Sequence, residues 1–206
     1  MKKILIYLIF ISSLTTIISC SESNGKDDIY IKEIKKFRFD KDSSFRFSDT
    51  SPIPDDERDN FKGLNYYSPD TKYIVKAKFV PNKKPDTIIV STTKPDDKRT
   101  MLRIGKFVFK LNGKTLSLTG YVSVPLEYPA DVFLPFADKT NGKETYEVGR
   151  YLDFTLNSTD KFIMLDFNLA YAPYCAYNKK YSCPLVPDEN ILKVFIKAGE
   201  KIFKKE

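Results

Sequence analysis

Apolar and polar residues alternate in short runs over the C-terminal two thirds of the chain, a period of two that is typical of β-strands with one buried face. The clearest signal is the run KFVFKLNGKTLSLTGYV, because Asn112-Gly113 separates two alternating stretches and supplies the positive φ angles of a type I′ hairpin turn. The turn-rich spacing of the runs predicts an all-β fold, either an antiparallel barrel or a sandwich. About eight strands are predicted: Tyr73–Phe79, Thr87–Thr92, the two strands of the hairpin, Val132–Phe136, Tyr151–Leu156, Phe162–Phe167 and Leu192–Ile196.

The segment before the strands has a mixed pattern. Its apolar positions between Ile29 and Phe37 fit both a strand and a helical stripe, and we predict a short amphipathic helix from Asp28 to about Phe37. No long helix follows the strands in the alternating order that a parallel sheet requires. With 206 residues, 42% of them hydrophobic, the chain can bury one core, so residues 29–206 are predicted to form a single domain.

Residues 1–19 have the organisation of a signal peptide. A basic start is followed by the apolar run Ile4–Ile18, which is shorter than the roughly 20 residues of a membrane-spanning helix. Ile17-Ile18-Ser19-Cys20 then resembles a bacterial lipobox, in which the cysteine is lipidated and becomes the new N-terminus. We therefore expect Cys20 to carry lipid. An ordinary secretory signal followed by a chance cysteine is the alternative.

Lipid on Cys20 would hold the protein permanently at a membrane of the cell envelope, because more than one acyl chain gives stable attachment. Residues 20–28 are polar and contain a glycine, which is the composition of a flexible tether. Ser21 follows the cysteine at the position where an aspartate favours the inner membrane in enteric bacteria, so we expect the outer membrane.

The charge of the chain changes this picture little. Removal of Lys2 and Lys3 with the signal peptide lowers the formal net charge from +7 to +5, which fits either a neighbouring anionic membrane or a solvated lysine-rich surface. The lysines are scattered and no nucleic-acid-binding motif is present. Nucleic acid is therefore not an expected partner.

The chain contains no histidine. This excludes Ser-His-Asp and Cys-His catalytic arrangements, histidine-ligated zinc and imidazole acid–base catalysis. Dinucleotide-binding, P-loop and EF-hand sequences are also absent. No cofactor and no metal site is predicted.

Residues 138–190 contain most of the candidate chemistry. Arg150 stands at the start of a predicted strand, and its planar, permanently charged guanidinium suits a carboxylate or a phosphate. We expect it either to bind an anionic ligand or to form a structural ion pair. The candidate carboxylate partners are Asp166, Glu144 and Glu200.

Asp166 and Asn168 flank Phe167, so on a strand they would face the same side, opposite to the phenylalanine. Directed into a barrel they would form a binding site, and directed outward they would meet water. The neighbouring tyrosines include Tyr171 and Tyr177. These rings can stack on a sugar or an aromatic ligand, or they can pack together as a small satellite core.

Three segments resemble the DUF1684 family of uncharacterised bacterial and archaeal proteins in residue order, in spacing and in the position of two cysteines: NGKETYEVGRYLDF, LDFNLAYAPYCAYNKKYSCPLVPDENIL and IKAGEKIF. A weaker resemblance extends back through SPIPDDERDNFKGLNYYSPDTKYIVKAKF, so the resemblance covers roughly Tyr30 to Phe203. The family implies a fold but no established activity.

Cys175 and Cys183 lie within these segments, with seven residues between them. In an oxidising envelope they can form a disulfide that closes a short tyrosine-rich loop and stabilises the fold by about 2.5 kcal/mol. Two buried, reduced thiols are the alternative, because the resembled family includes members without export signals. A reactive or metal-binding thiol is the third interpretation.

Three functions remain open. The first is a pocket around Arg150, Asp166 and Asn168, roofed by the tyrosine-rich segment, that binds a small anionic or polar ligand; such pockets favour the mouths of β-barrels. Glu144 is a further candidate ligand-binding residue. The second is a histidine-free hydrolase that uses two carboxylates, drawn from Asp166, Glu144 and Asp138. The third is a purely structural envelope protein whose polar cluster consists of internal ion pairs. The sequence specifies no oligomeric state.

Overall fold

A computed structural model of the chain describes residues 19–203. These residues form one helix, six strands and five short 3₁₀ turns. The predicted signal peptide, apart from Ser19, lies outside the described residues, as do the last three residues of the chain. Within the described part, no helix combines the length and the apolar character needed to cross a bilayer.

One antiparallel sheet of six strands curls into a nearly closed barrel. The strands are β1 (Ile74–Ser91), β2 (Lys98–Leu111), β3 (Lys114–Val122), β4 (Ala130–Phe136), β5 (Arg150–Leu156) and β6 (Phe162–Asp166). Their order in the sheet is β5-β4-β3-β2-β1-β6, so the first five follow one another as hairpins and β6 returns to pair with β1. This architecture confirms the predicted all-β antiparallel fold.

The first strand is longer than predicted. Tyr73–Phe79 and Thr87–Thr92 are not two separate strands but belong to β1, which pairs with β2 along both parts. The register between the two strands is broken between Pro81 and Asp86. Because proline has no backbone donor for the ladder, the irregularity falls where the sequence indicates a strand end.

The predicted strand Leu192–Ile196 is wrong. Its backbone pairs with the loop after β4, where the Leu192 N–H donates to the Ala137 C=O at 2.7 Å. The alternation of apolar residues reflects burial instead, since Leu192 is 6% exposed and Ile196 is fully buried. We call residues 192–203 the C-terminal segment.

The core fills the barrel with side chains from all six strands. Phe107 has no exposed surface; its ring stacks on Phe79 at a centroid distance of 4.9 Å and meets Phe154 edge-on at 5.0 Å. Ile196 and Ala198 of the C-terminal segment belong to the same core. This segment is therefore part of the barrel interior rather than a tail.

Helix α1 (Ser19–Phe47) packs at the end of the barrel where β6 ends and β1 begins. Among helix residues 25–47, the buried ones are Ile34, Arg38 and Phe45. Their spacing of four and seven residues places them on one face of the helix. Arg38 on this face donates to the Tyr67 C=O at 2.8 Å, just before β1.

Helix α1 is also longer than predicted. It continues ten residues beyond Phe37, and its first turns include residues 20–28, for which the composition indicates a flexible tether. The continuation is stabilised by tertiary contacts, because Lys41 binds Glu200 and Phe45 joins a second apolar cluster. Because cationic residues such as Lys41 lie on the face that packs against the barrel, the sequence pattern does not indicate that this part of the helix is packed.

The predicted hairpin is present. Asn112 and Gly113 connect β2 to β3 with φ angles of 49° and 74°, both positive as a type I′ turn requires. Leu111 pairs with Lys114 directly across the turn. The turn therefore fixes the register of the two central strands.

We expect Gly113→Val to lower the free energy of unfolding by about 1–2 kcal/mol, because a β-branched residue is strained in the left-handed region. A Cβ at Gly113 would meet nothing within 4 Å, so the cost is conformational rather than steric. Urea unfolding of the full chain measures it. Asn112→Gly, which accepts the same φ, should change stability by less than about 0.5 kcal/mol. Equal stability of the two variants would contradict the assigned turn.

Candidate functional site

Arg150 opens β5 and is completely buried. Gly149 precedes it with a φ of 120°, at a point where a Cβ would come within 2.8 Å of the Phe136 C=O, so the turn into the strand requires glycine. The guanidinium donates from Nη2 to Asp138 Oδ2 at 2.7 Å, and neither side chain has exposed surface. The two form a buried ion pair.

The two Nη groups of the guanidinium also donate to carbonyl groups of the C-terminal segment. Nη2 also donates to the Ile196 C=O at 2.8 Å, and Nη1 donates to the Ala198 C=O and, at 3.2 Å, to the Glu200 C=O. Nε has no partner among the described residues. Arg150 thereby holds the C-terminal segment against the barrel.

The carboxylate partner of Arg150 is Asp138. The predicted partners Asp166, Glu144 and Glu200 are wrong, although Glu200 contributes its backbone carbonyl. Asp138 lies two residues after β4, and the antiparallel register places the last residue of β4 opposite Arg150. The sheet register brings the two charges together, and the sequence does not contain that register.

A second buried carboxylate connects helix α1 to the barrel. Glu200 is 2% exposed; Oε1 binds Lys41 Nζ at 2.5 Å, and Oε2 accepts from the Ala172 N–H at 2.8 Å and from the Tyr177 hydroxyl. Burial, and then the charge of Glu200, raises the pKa of Tyr177 well above its ordinary value. The Tyr177 hydroxyl is therefore a permanent donor to this carboxylate.

Asp166 and Asn168 bind one another beneath helix α1. Asp166 accepts from the backbone N–H and from Nδ2 of Asn168, both at 2.9 Å, and from the Tyr30 hydroxyl of the helix at 2.7 Å. Asn168 also exchanges two hydrogen bonds of 3.0 Å with the backbone of Asp70. Phe167 between them is fully buried in the barrel core. The side chains of this pair are directed at protein partners.

The tyrosine-rich segment contributes to a second apolar cluster, which we call the satellite core. Tyr171 donates its hydroxyl to Asp153 and meets the ring of Tyr151 edge-on at a centroid distance of 5.7 Å. Tyr177 belongs to the satellite core, which is one of the two roles expected of the tyrosines, whereas Tyr171 packs beside it against Tyr151. The satellite core consists of Phe45, Ile53, Phe61, Ala172 and Tyr177, with Leu64, Tyr146, Ala176 and Phe203 packed against it.

Glu144 lies apart from Arg150, at the surface. Its carboxylate binds Lys197 Nζ at 3.2 Å and accepts from the Tyr67 hydroxyl at 3.1 Å. The contact with Lys197, and then the one with Tyr67, lowers the pKa of Glu144. The six predicted ligand-binding residues thus divide among five sets of protein partners.

A cleft of about 1120 Å³ lies between the end of α1, the 3₁₀ turn Asp55–Asn60 and the C-terminal segment; we call it the terminal cleft. Phe61 and Phe203 line its apolar wall with ring centroids 6.1 Å apart. Arg46 and Asp59 are among its polar lining residues, and Arg150 does not line it. Sequence analysis missed this cleft, because its walls combine residues 46–65, which carry no motif, with the distant Phe203.

Cys175 and Cys183 are adjacent free thiols, so the predicted disulfide is not formed in this structure. The Cys175 N–H donates to the Sγ of Cys183 at 3.2 Å, and the Tyr146 hydroxyl donates to the Sγ of Cys175 at 3.6 Å. Hydrogen bonding from Cys183, and then from Tyr146 and Thr93, lowers the pKa of Cys175 to about 6 against the opposing effect of burial. The hydrogen bond to Cys175, and then burial, raises the pKa of Cys183.

Potential metal ligands do not converge in the part of the chain that the structure covers. Across residues 19–203, no three side chains of histidine, cysteine, aspartate or glutamate come together in a way that could hold a metal ion.

Residues 59–201 match a family model described as a protein of unknown function, DUF1684. The chain belongs to the DUF1684 family. The matched residues include Arg150, Asp138, Glu200 and both thiols. The buried ion pair and the thiol pair therefore lie within the DUF1684 domain, whereas helix α1 precedes the matched region.

A solved structure has the same fold. The solution NMR structure of an uncharacterised protein from Haloarcula marismortui is 35% identical to this chain, covers 86% of this chain and 97% of its own, and superposes with a TM-score of 0.66. No curated protein sequence matches the chain. The DUF1684 relationship thus establishes the fold and leaves the activity to be inferred from the geometry.

We expect Arg150→Met to lower the free energy of unfolding by about 3–5 kcal/mol, because it leaves Asp138 buried without a cation. Urea unfolding monitored by circular dichroism measures the change. Arg99→Met is the matched control: Arg99 pairs with Asp97 at 3.0 Å on the surface, where a pair contributes at most about 1 kcal/mol. A variant at Arg150 as stable as the one at Arg99 would contradict the structural role of the buried pair.

Proposed function

We propose that this DUF1684 protein is a lipid-anchored binding protein of the cell envelope, and that the terminal cleft is its ligand site, where the ligand is bound without reaction. The lipobox-like sequence Ile17-Ile18-Ser19-Cys20 supports the anchor. Lipid on Cys20 places the domain at a membrane surface, and Ser21 after the cysteine favours the outer membrane.

The outer face of the sheet also supports a position beside an anionic membrane. Lys76 and Lys78 of β1 are both exposed on the outer face of the sheet. Phe162 of β6 lies opposite Lys78 in the register and is 50% exposed. The Lys76 ammonium lies 4.4 Å from the centroid of the Phe162 ring. Lysines near an anionic leaflet are attracted to it, and an exposed aromatic ring can enter the headgroup region.

The placement of the charged residues favours binding over hydrolysis. Asp138 is fully buried against Arg150, so a substrate cannot reach it. Asp166 binds Tyr30 and Asn168 and lies under helix α1. The guanidinium of Arg150 is enclosed in the same way, which moves the proposed ligand site from Arg150 to the terminal cleft.

The terminal cleft is the observation that carries the proposal. Its volume of about 1120 Å³ is close to that of small-molecule sites, which are typically about 300–1,000 Å³. It combines the rings of Phe61 and Phe203 with charged and amide groups of both hydrogen-bonding types, among them Arg46 and Asn60. Such walls suit a small polar ligand with a flat apolar face, and a sugar or a sugar phosphate has this chemistry.

Thermal unfolding of the full chain in the presence of monosaccharides, disaccharides and sugar phosphates tests the ligand site. A ligand at 100 times its Kd should raise the free energy of unfolding by about 2.7 kcal/mol. Asn60→Ala should abolish the stabilisation, because Asn60 lines the cleft and is exposed. Lys110→Ala is the control, since Lys110 lines a second cavity of about 550 Å³ on the outer face of the sheet.

The comparison of sugars with their phosphates separates a neutral ligand from an anionic one. Stabilisation that survives Asn60→Ala but is lost in Lys110→Ala would move the site to the outer face of the sheet. Absence of stabilisation by every compound would favour the purely structural function, in which the polar residues serve internal pairing alone.

Lipidation is tested separately. We expect the full chain to incorporate radiolabelled palmitate in a bacterial host and to partition into the detergent phase. Cys20→Ala should lose the label and leave the membrane fraction, because the acceptor sulfur is gone. Cys175→Ala is the matched control and should keep both properties. Label that persists in Cys20→Ala would show that Cys20 is not the lipid site.

A further inference from the structure

The two thiols of the DUF1684 domain are held side by side by different parts of the chain. Cys175 lies on the 3₁₀ turn Tyr174–Ala176. Cys183 is fixed to the barrel, because its C=O accepts from the Thr93 N–H at 2.9 Å and its N–H donates to Thr93 Oγ1 at 3.1 Å just after β1. The juxtaposition therefore does not depend on the loop that connects the cysteines.

The sulfur of Cys183 lies within reach of the sulfur of Cys175. Cys183 Sγ is 3.2 Å from the backbone nitrogen of Cys175, and only three bonds separate that nitrogen from Cys175 Sγ. Rotation of side chains about their Cα–Cβ bonds changes the distance between the sulfurs while the backbone stays in place. A disulfide needs Cβ atoms about 3.5–4.5 Å apart, and the contact between the Cys183 sulfur and the Cys175 backbone makes the two cysteines immediate neighbours.

The two thiols differ in accessibility. Cys175 is partly exposed, whereas Cys183 is 6% exposed. The Tyr146 hydroxyl donates to Cys175 Sγ, a contact that stabilises the thiolate relative to the thiol. These surroundings are those of an attacking thiol at Cys175 and a protected one at Cys183.

The acidity of the thiols agrees with the geometry. A pKa of about 6 makes Cys175 mostly thiolate at neutral pH. Thiol–disulfide exchange is fastest for a thiol whose pKa is near the ambient pH, because both ionisation and nucleophilicity are then sufficient.

We propose that Cys175 and Cys183 form a thiol–disulfide exchange site that takes exposed disulfides, with Cys175 as the attacking thiol and Cys183 as the resolving thiol. This proposal is independent of the ligand in the terminal cleft and of the lipid on Cys20.

The exchange proceeds in two steps. The Cys175 thiolate attacks a substrate disulfide R–S–S–R, the S–S bond breaks, and one RS⁻ leaves as a Cys175–S–S–R bond forms. Cys183 then gives its proton to the released thiolate and its sulfur attacks Cys175 Sγ, which expels the second RS⁻. The substrate gains two electrons and becomes two thiols, the second RS⁻ taking its proton from water, and the cysteine pair loses two electrons and becomes a disulfide. A dithiol substrate reverses both steps.

Redox titration of the full chain tests the proposal. The protein is equilibrated in glutathione buffers of varied oxidised-to-reduced ratio and alkylated, and the peptides that contain Cys175 and Cys183 are quantified by mass spectrometry. We expect complete and reversible conversion between two alkylated thiols and one internal disulfide. Thiols that stay reduced at every ratio would overturn the proposal, and so would a disulfide that survives excess dithiothreitol in the folded protein.

Single-cysteine variants test the assigned roles. Cys183→Ser should stop at the mixed disulfide, so that Cys175 acquires one glutathione. Cys175→Ser should leave Cys183 unmodified in the folded chain, because Cys183 is buried. The opposite pattern, or the same reactivity in both variants, would overturn the assignment of attacking and resolving thiols.

Tyr146→Phe keeps both cysteines, so it tests the attacking thiol even if a cysteine variant fails to fold. The alkylation rate of Cys175 should rise with pH around its pKa of about 6 in the parent chain. Loss of the Tyr146 hydrogen bond should move this profile to higher pH and lower the rate at pH 7 by about fivefold. Tyr128→Phe, at a tyrosine that is 45% exposed, should leave the profile unchanged. An unchanged profile in Tyr146→Phe would overturn the role of the hydroxyl, and a parent profile centred at the pKa of an ordinary thiol would overturn the ionised attacking thiol.

Discussion

Burial of the Arg150 guanidinium is the constraint on which the rest of the described structure depends. A charge without exposed surface destabilises a fold unless a counter-charge and further acceptors surround it. Asp138 and the carbonyl groups of Ile196, Ala198 and Glu200 meet this requirement. They do so only when the C-terminal segment runs beside the start of β5, so the ion pair selects one path for a segment that forms no strand of its own.

That path in turn determines where helix α1 docks. The backbone carbonyl of Glu200 accepts a hydrogen bond from Arg150. The carboxylate of Glu200 is also buried and therefore requires a cation, which is Lys41 of the helix. The Tyr177 hydroxyl donates to the same carboxylate and its ring packs edge-on against Phe45. The buried charge of Arg150 thus orders the C-terminal segment, and the buried charge of Glu200, within that segment, orders helix α1.

The sequence could predict the parts of this arrangement that depend on local pattern. Asn112-Gly113 predicts the hairpin because the turn's φ angles are a property of those two residues. Alternation predicts burial at Leu192 and Ile196, but not whether the buried segment pairs with a strand or with a loop. Likewise, the helix continues beyond its apolar stripe because Lys41 faces a carboxylate that lies 159 residues away in the chain. Patterns of hydrophobicity do not contain such long-range charge pairing.

In the candidate site, too, local sequence predicts some features and long-range contacts determine the others. Arg150 stands out by its chemistry, but its partner is one of 27 acidic residues, and only the register of β4 and β5 identifies it.

The groups that remain accessible lie around the satellite core instead. Phe203 lines the terminal cleft, and its ring centroid is 5.5 Å from that of Tyr177. Tyr146 packs on the same cluster and binds Cys175. A cluster that two buried charges hold in place gives both sites a rigid support, and sites are most precise when their supporting residues are themselves fixed by packing and hydrogen bonds. The buried guanidinium therefore has a positioning role, since both of its Nη groups are already bound within the fold.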